Sequence, residues 1–158
     1  MPIPFTQVEI SLQTVFVITA GLVLGGVDGG AAVLVYIIMG LVGLPVFTRG
    51  GGIGYVFQPS FGYLIGFVLG AFVSGSLRSR LNAVTRVKVV LCGCVGLIPI
   101  YLIGATYQVL ILYYYTGSTF AAAIGGLPAV GLLLIKDAAL VGFVGVLYPT
   151  LHRAMRYR

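Results

Sequence analysis

Few residues in this chain could do chemistry, and Asp137 stands apart by position. It lies in the apolar run Leu132-Leu133-Leu134-Ile135-Lys136-Asp137-Ala138-Ala139-Leu140-Val141 and is the one carboxylate in the body of an apolar span. A charge at that depth costs roughly 2.5–3.5 kcal/mol on insertion scales, so it is expected to face a cavity or a partner. A carboxylate held there is either a hydrogen-bond acceptor for a polar ligand or half of a structural ion pair. Lys136, its chain neighbour, is turned about 100° around a helix from it. It could pair with Asp137, line a pocket or snorkel to the interface.

Thr6, Glu9 and Gln13 recur at spacings of three and four on an otherwise apolar segment, which puts them on one helix face. A polar stripe there should face other helices, either as a pocket wall or as a hydrogen-bonded brace. Tyr107 and Gln108 lie near the end of another apolar run, and Tyr113, Tyr114 and Tyr115 follow. Tyrosines at such ends read first as interfacial anchors.

The loop Phe47-Thr48-Arg49-Gly50-Gly51-Gly52-Ile53-Gly54 has the glycine content of a phosphate cradle. It lacks the GK[ST] ending that supplies the Walker lysine and the magnesium-binding hydroxyl. A flexible glycine lid with one cation, Arg49, suits a small carboxylate instead. His152 alone builds no metal site. No nucleophile, base and orienting group recur at a suggestive spacing, so the sequence makes no case for an enzyme.

The elements that must position these residues follow from composition. Of the 158 residues, 59% are hydrophobic and 8% charged, against about 45–50% and about 25% in soluble domains. A soluble protein is excluded. The net charge of +6 does not point to nucleic acid, because the basic residues cluster at the ends of apolar runs rather than among exposed aromatics. Cys92 and Cys94, inside such a run, read as small hydrophobes. The expected fold is all-α and integral to the membrane, one domain over residues 1–158 with five transmembrane helices.

These spans are placed at Gln7–Gly26, Gly30–Leu44, Phe61–Leu77, Val87–Tyr113 and Pro128–Tyr148. Asp28 is expected to cap the second helix and Ser60 the third. Gly62, Gly66, Gly70 and Ser74 place small residues on one face of the third span, where two backbones can approach closely. Arg78, Arg80, Arg86 and Lys88 flank the link between spans three and four, and Arg153, Arg156 and Arg158 end the chain. Positive charge marks cytoplasmic segments, so both regions are expected inside, with Met1 and the glycine loop outside. That start carries no inside charge to hold it, and one further helix upstream of Met1 would remove the anomaly.

Several strings taken in order resemble one family: Ile3-Pro4-Phe5-Thr6, Ser11-Leu12-Gln13-Thr14, Gly43-Leu44-Pro45-Val46-Phe47 with the glycine loop, Phe61-Gly62-Tyr63-Leu64-Ile65-Gly66-Phe67 and Ile135-Lys136-Asp137. Together they resemble BioY, the biotin-specific substrate-binding components of energy-coupling factor transporters. The resemblance covers essentially the whole chain. It implies a six-helix bundle, of which the first helix is absent from this sequence, sited in the cell membrane with a cytoplasmic C-terminus. Biotin would be a transported substrate rather than a cofactor. The implied partners are a transmembrane coupling subunit and two cytoplasmic ATPases. On this reading Asp137 and Gln13 meet the ureido group, Tyr63, Phe47 and Tyr107 wall the ring slot, and Arg49 or Lys136 meets the carboxylate. Relatives often carry Asn where this chain has Arg49, so a ureido contact at that position is not implied here. The alternatives are the same scaffold serving another water-soluble vitamin, and a structural membrane protein whose polar residues only brace the bundle.

Overall fold

Gly25 decides where the first apolar run breaks. Its φ of 98° and ψ of 169° lie in a region open essentially to glycine alone, and there the helix Gln13–Leu24 (α1) gives way to Gly26–Val42 (α2). The computed structural model describes residues 12–48, 50–82, 85–115, 117, 119 and 124–156. Within them three further helices follow, Phe61–Arg80 (α3), Arg86–Leu110 (α4) and Leu127–Arg156 (α5), with a 3-10 turn at Ile53–Phe57 and a π turn at Ile111–Tyr115. The architecture is thus all-helical, as the apolar runs imply.

The sequence places the second helix four residues too late. Asp28 lies in the first turn of α2 and is exposed, so it complements the positive end of the helix rather than capping it. The cause is that two glycines, Gly25 and Gly26, precede the Asp-Gly-Gly string, and the first of them alone makes the turn. Gly43, in the left-handed region at φ 118°, ends α2 as a glycine C-cap does. Ser60 occupies the position before α3 but makes no side-chain cap; its hydroxyl donates to the Tyr55 hydroxyl at 3.3 Å. Helix α4 runs through Pro99, which forfeits one backbone hydrogen bond. Helix α5 begins one residue before Pro128 and continues past Tyr148, so Arg153 and Arg156 are helical rather than part of a loose tail. The start of the first span, with Thr6 and Glu9, lies outside the described residues.

Small residues set the packing. A Cβ on Gly29 would stand 2.6 Å from the Gly21 Cα, so α1 and α2 form a tight antiparallel hairpin. The stripe on α3 meets α4: a Cβ on Gly66 would stand 2.7 Å from the Ile100 Cα, and one on Gly70 2.8 Å from the Gly96 carbonyl. That face packs within the chain. The core between α1, α3, α4 and α5 holds Ile18, Leu22, Ala71, Val89, Cys92 and Val141, all fully buried. Large apolar side chains also point outward, among them Phe16, Leu91, Leu102 and Phe143, the pattern of helices solvated by lipid. Helices α3, α4 with its π turn, and α5 are each long and apolar enough to cross a membrane, whereas α1 and α2 are shorter apolar helices.

The two ends of the bundle differ. At one, Arg78 donates from Nη1 to the Leu22 carbonyl at 2.9 Å, satisfying a last-turn acceptor of α1, and lies 5.3 Å from the centre of the Tyr148 ring. The Gly25 turn, Arg80 and Arg86 share this end. The glycine loop and Tyr113–Tyr115 share the other.

Candidate functional site

At the loop end a cleft opens between the helices, with about 540 Å³ of empty space counting its open mouth. Each wall has a distinct chemistry. Helix α1 contributes Gln13 and Thr14, the loop contributes Thr48, Tyr55 and Ser60, and α3 contributes Tyr63, Leu64 and Phe67; Tyr101 comes from α4 and Leu133, Lys136 and Asp137 from α5.

Asp137 is the polar centre. It is 2% exposed, and a buried carboxylate is tolerable only with partners. Tyr101 Oη donates to its Oδ2 at 2.7 Å, and the Lys136 ammonium lies 2.7 Å from its Oδ1. The lysine contact is an ion pair without hydrogen-bond geometry, because Oδ1 has no donor in line with it among the described residues. An ionised carboxylate accepts about four hydrogen bonds, so capacity remains for a ligand N–H. Of the three roles open to Lys136 in the sequence, it takes two, pairing with Asp137 and lining the cleft.

Gln13 faces the same space from α1. Its Nε2 donates to Tyr36 Oη at 2.7 Å, and Tyr36 Oη donates onward to the Val46 carbonyl at 2.8 Å. The brace and the pocket wall left open by the spacing are therefore one residue: Gln13 lines the cleft and ties α1 to the start of the loop. Tyr63 lines the cleft from α3 and is buried, its hydroxyl donating to Gln108 Oε1 at 3.1 Å and its ring edge-on to Tyr101 with centroids 6.0 Å apart.

Two expected wall residues stand behind the wall. Phe47 is buried with its ring on Gly40, 4.5 Å from the Tyr55 ring and 5.7 Å from that of Tyr36, so it supports the cleft through Tyr55. Tyr107 donates its hydroxyl to the Val56 carbonyl and packs its Cβ on Gly62; it anchors the loop from α4 and does not line the space. One reason serves both. The glycines opposite them, Gly40 and Gly62, admit the rings into helix grooves where a side chain would have kept them in the slot. Arg49 lies outside the described residues.

The loop itself is held by its backbone. Phe47 and Gly50 exchange N–H···O bonds of 3.0 and 3.1 Å, and the Gly52 N–H reaches the Gly40 carbonyl at 2.7 Å. Thr48 Oγ1 and Tyr55 Oη lie 3.2 Å apart, so Thr48, Tyr55 and Ser60 form a hydroxyl cluster on the loop side. Neither this cluster nor Tyr101 was singled out by spacing. The signal for Tyr101 was available, since a lone tyrosine in the middle of an apolar span needs a partner for its hydroxyl.

The BioY family's sequence model matches residues 1–157. The chain belongs to the BioY family. It is 51% identical over 105 residues to a probable biotin transporter BioY of Lysinibacillus sphaericus, a match that takes in 66% of this chain and 54% of that one. It is 36% identical over 141 residues to the probable biotin transporter BioY of Pyrococcus horikoshii, covering 89% of this chain and 77% of the relative. The biotin transporter BioY of Thermotoga maritima is 38% identical over 137 residues, with coverage of 85% and 75%. This BioY chain thus spans about half the length of the first of these relatives and about three quarters of the others. Its fold matches a crystal structure of the S-component for biotin from an ECF-type ABC transporter with a TM-score of 0.74 at 25% identity, over 94% of this chain and 79% of that one. BioY is a family of transporter components rather than of enzymes, and this BioY chain carries a polar-lined cleft at one end of an apolar helical bundle.

Proposed function

We propose that this chain captures biotin for uptake as the substrate-binding subunit of an energy-coupling factor transporter. The observation that carries the reading is Asp137: a buried carboxylate on the wall of a cleft, fixed on one oxygen by Tyr101 and ion-paired on the other with Lys136, with no in-line donor to that oxygen among the described residues. A ureido ring supplies the N–H donors that such an acceptor requires. Gln13 lines the same cleft from α1. Tyr63 and Tyr101 offer aromatic faces for the fused rings, backed indirectly by Phe47 and Tyr107. Lys136, and Arg49 next to Thr48 in the sequence, are cations for the valerate carboxylate on this reading.

The single domain of residues 1–158 would cross the membrane five times, with α1 and α2 as the shorter spans. The arginine-bearing end would be cytoplasmic, with the C-terminus, and the cleft would open outward. Helix α5 would bring the basic end of the chain to the same side as Arg78. The coupling subunit and two ATPases would supply the transport energy, leaving capture to this chain. Equilibrium binding of labelled biotin to the purified, detergent-solubilised chain tests the reading. Saturable binding displaced by unlabelled biotin and not by riboflavin or thiamine is the expected result. Displacement by one of those vitamins instead would assign the scaffold to another ligand, and no binding of any of them would leave a structural protein.

A further inference from the structure

We propose that Tyr101 is a positioning residue for ligand capture, acting through Asp137. The inference rests on the biotin reading for the ligand, and on the geometry alone for the positioning. Tyr101 donates to Asp137 Oδ2 at 2.7 Å while Lys136 stands 2.7 Å from Oδ1. A carboxylate with a free choice would offer both oxygens to the ammonium, and a ligand N–H would then have to displace a charged partner. The phenol removes that choice. With Oδ2 occupied, the carboxylate plane is fixed, Lys136 is confined to one oxygen, and the remaining acceptor capacity has a defined direction.

Tyr101 can hold this position because it is itself held. Its ring is buried, edge-on to Tyr63, and Tyr63 is fixed by Gln108, which is 1% exposed. Tyrosine has only two side-chain torsions to immobilise, so the line from Gln108 through Tyr63 and Tyr101 to Asp137 is rigid without being costly in entropy. Leu133, also on the cleft wall, has no polar side-chain atom to offer the carboxylate.

The test has two readouts on the purified chain in detergent. With carboxyl-13C aspartate, only Asp28 and Asp137 report, and Asp28 is exposed on α2 and serves as the control. In Tyr101→Phe the Asp137 carboxyl resonance should shift while that of Asp28 stays, because a donor to Oδ2 has gone. Biotin affinity should fall about 10-fold in Tyr101→Phe and by less than about 3-fold when the same change is made in Asp137→Ala, since residues that act as a unit are non-additive. A merely structural tyrosine would lower the melting temperature and weaken binding equally in both backgrounds. Equal losses, or an unmoved Asp137 resonance, would overturn the positioning role. Failure of the parent chain to bind biotin would instead contradict the functional reading, and the ligand half of this inference with it, whatever the resonance does.

Discussion

Gly66 on α3 lies directly against the backbone of Ile100 on α4: a Cβ there would stand 2.7 Å from the Ile100 Cα and 2.9 Å from its carbonyl oxygen. Neither atom is the end of a flexible side chain, so nothing nearby can move aside cheaply. Gly66→Leu should force the two helices apart, at a cost of about 1–3 kcal/mol or more. Expression and the melting temperature in detergent should both fall. A Gly66→Leu protein as stable as the parent would mean that this face looks at lipid.

The same stripe shows how far spacing alone can go. Gly62, Gly66, Gly70 and Ser74 announce a close helix contact by period, and the partner proves to be α4. Period could not say that Gly40 and Gly62 open grooves for the rings of Phe47 and Tyr107, because that depends on which residues of distant segments meet. Asp137 was legible from its depth in an apolar run, and Gln13 from its place in a polar stripe. The hydroxyls of Thr48, Tyr55 and Ser60 were not, since single polar residues in a glycine loop are common and only the fold gathers them. The early break at Gly25 was missed because its φ and ψ, rather than its neighbours, make it a turn.

Tyr36 links the cleft to its loop by accepting from Gln13 and donating to the Val46 carbonyl. Tyr36→Phe removes both bonds and keeps the ring against Phe47. Each bond contributes about 0.5–1.5 kcal/mol, so a loss of about 1–3 kcal/mol in stability is expected. Biotin should dissociate several-fold faster as the loop loosens. Stopped-flow displacement and thermal unfolding read the two effects, and an unchanged dissociation rate would uncouple this relay from the lid.

Arg78 stitches α1, α3 and α5 at the end away from the cleft. Arg78→Gln should lower stability by about 1–3 kcal/mol through the lost charge-assisted bond to the Leu22 carbonyl. Biotin affinity at the far end should change less than about 3-fold, because distant sites act independently. Affinity and melting temperature falling together in this variant would show that the two ends are coupled.

Topology can be read by thiol labelling in intact cells over the background of Cys92 and Cys94, both in α4. Gly54 is the apt loop position, since nothing lies within 4 Å of a Cβ placed there, whereas Gly51 is crowded by the Leu44 carbonyl. Gly54→Cys should react with an impermeant maleimide and Ser79→Cys should be shielded. The reverse pattern would turn the bundle over and face the cleft to the cytoplasm.

The measurement closest to the central claim is the biotin affinity of Asp137→Asn set beside its melting temperature on the same preparation. The amide keeps the shape of the carboxylate and is no harder to bury, so the fold should survive. The hydrogen bond from a ureido N–H to a charged acceptor is lost, worth roughly 1.5–3 kcal/mol, which is about a 10- to 150-fold weaker affinity. A marked loss of affinity with a melting temperature near that of the parent is the result this account predicts. Affinity that survives while stability collapses would contradict it, and would make Asp137 a brace for Lys136 and Tyr101 rather than the acceptor for the ligand.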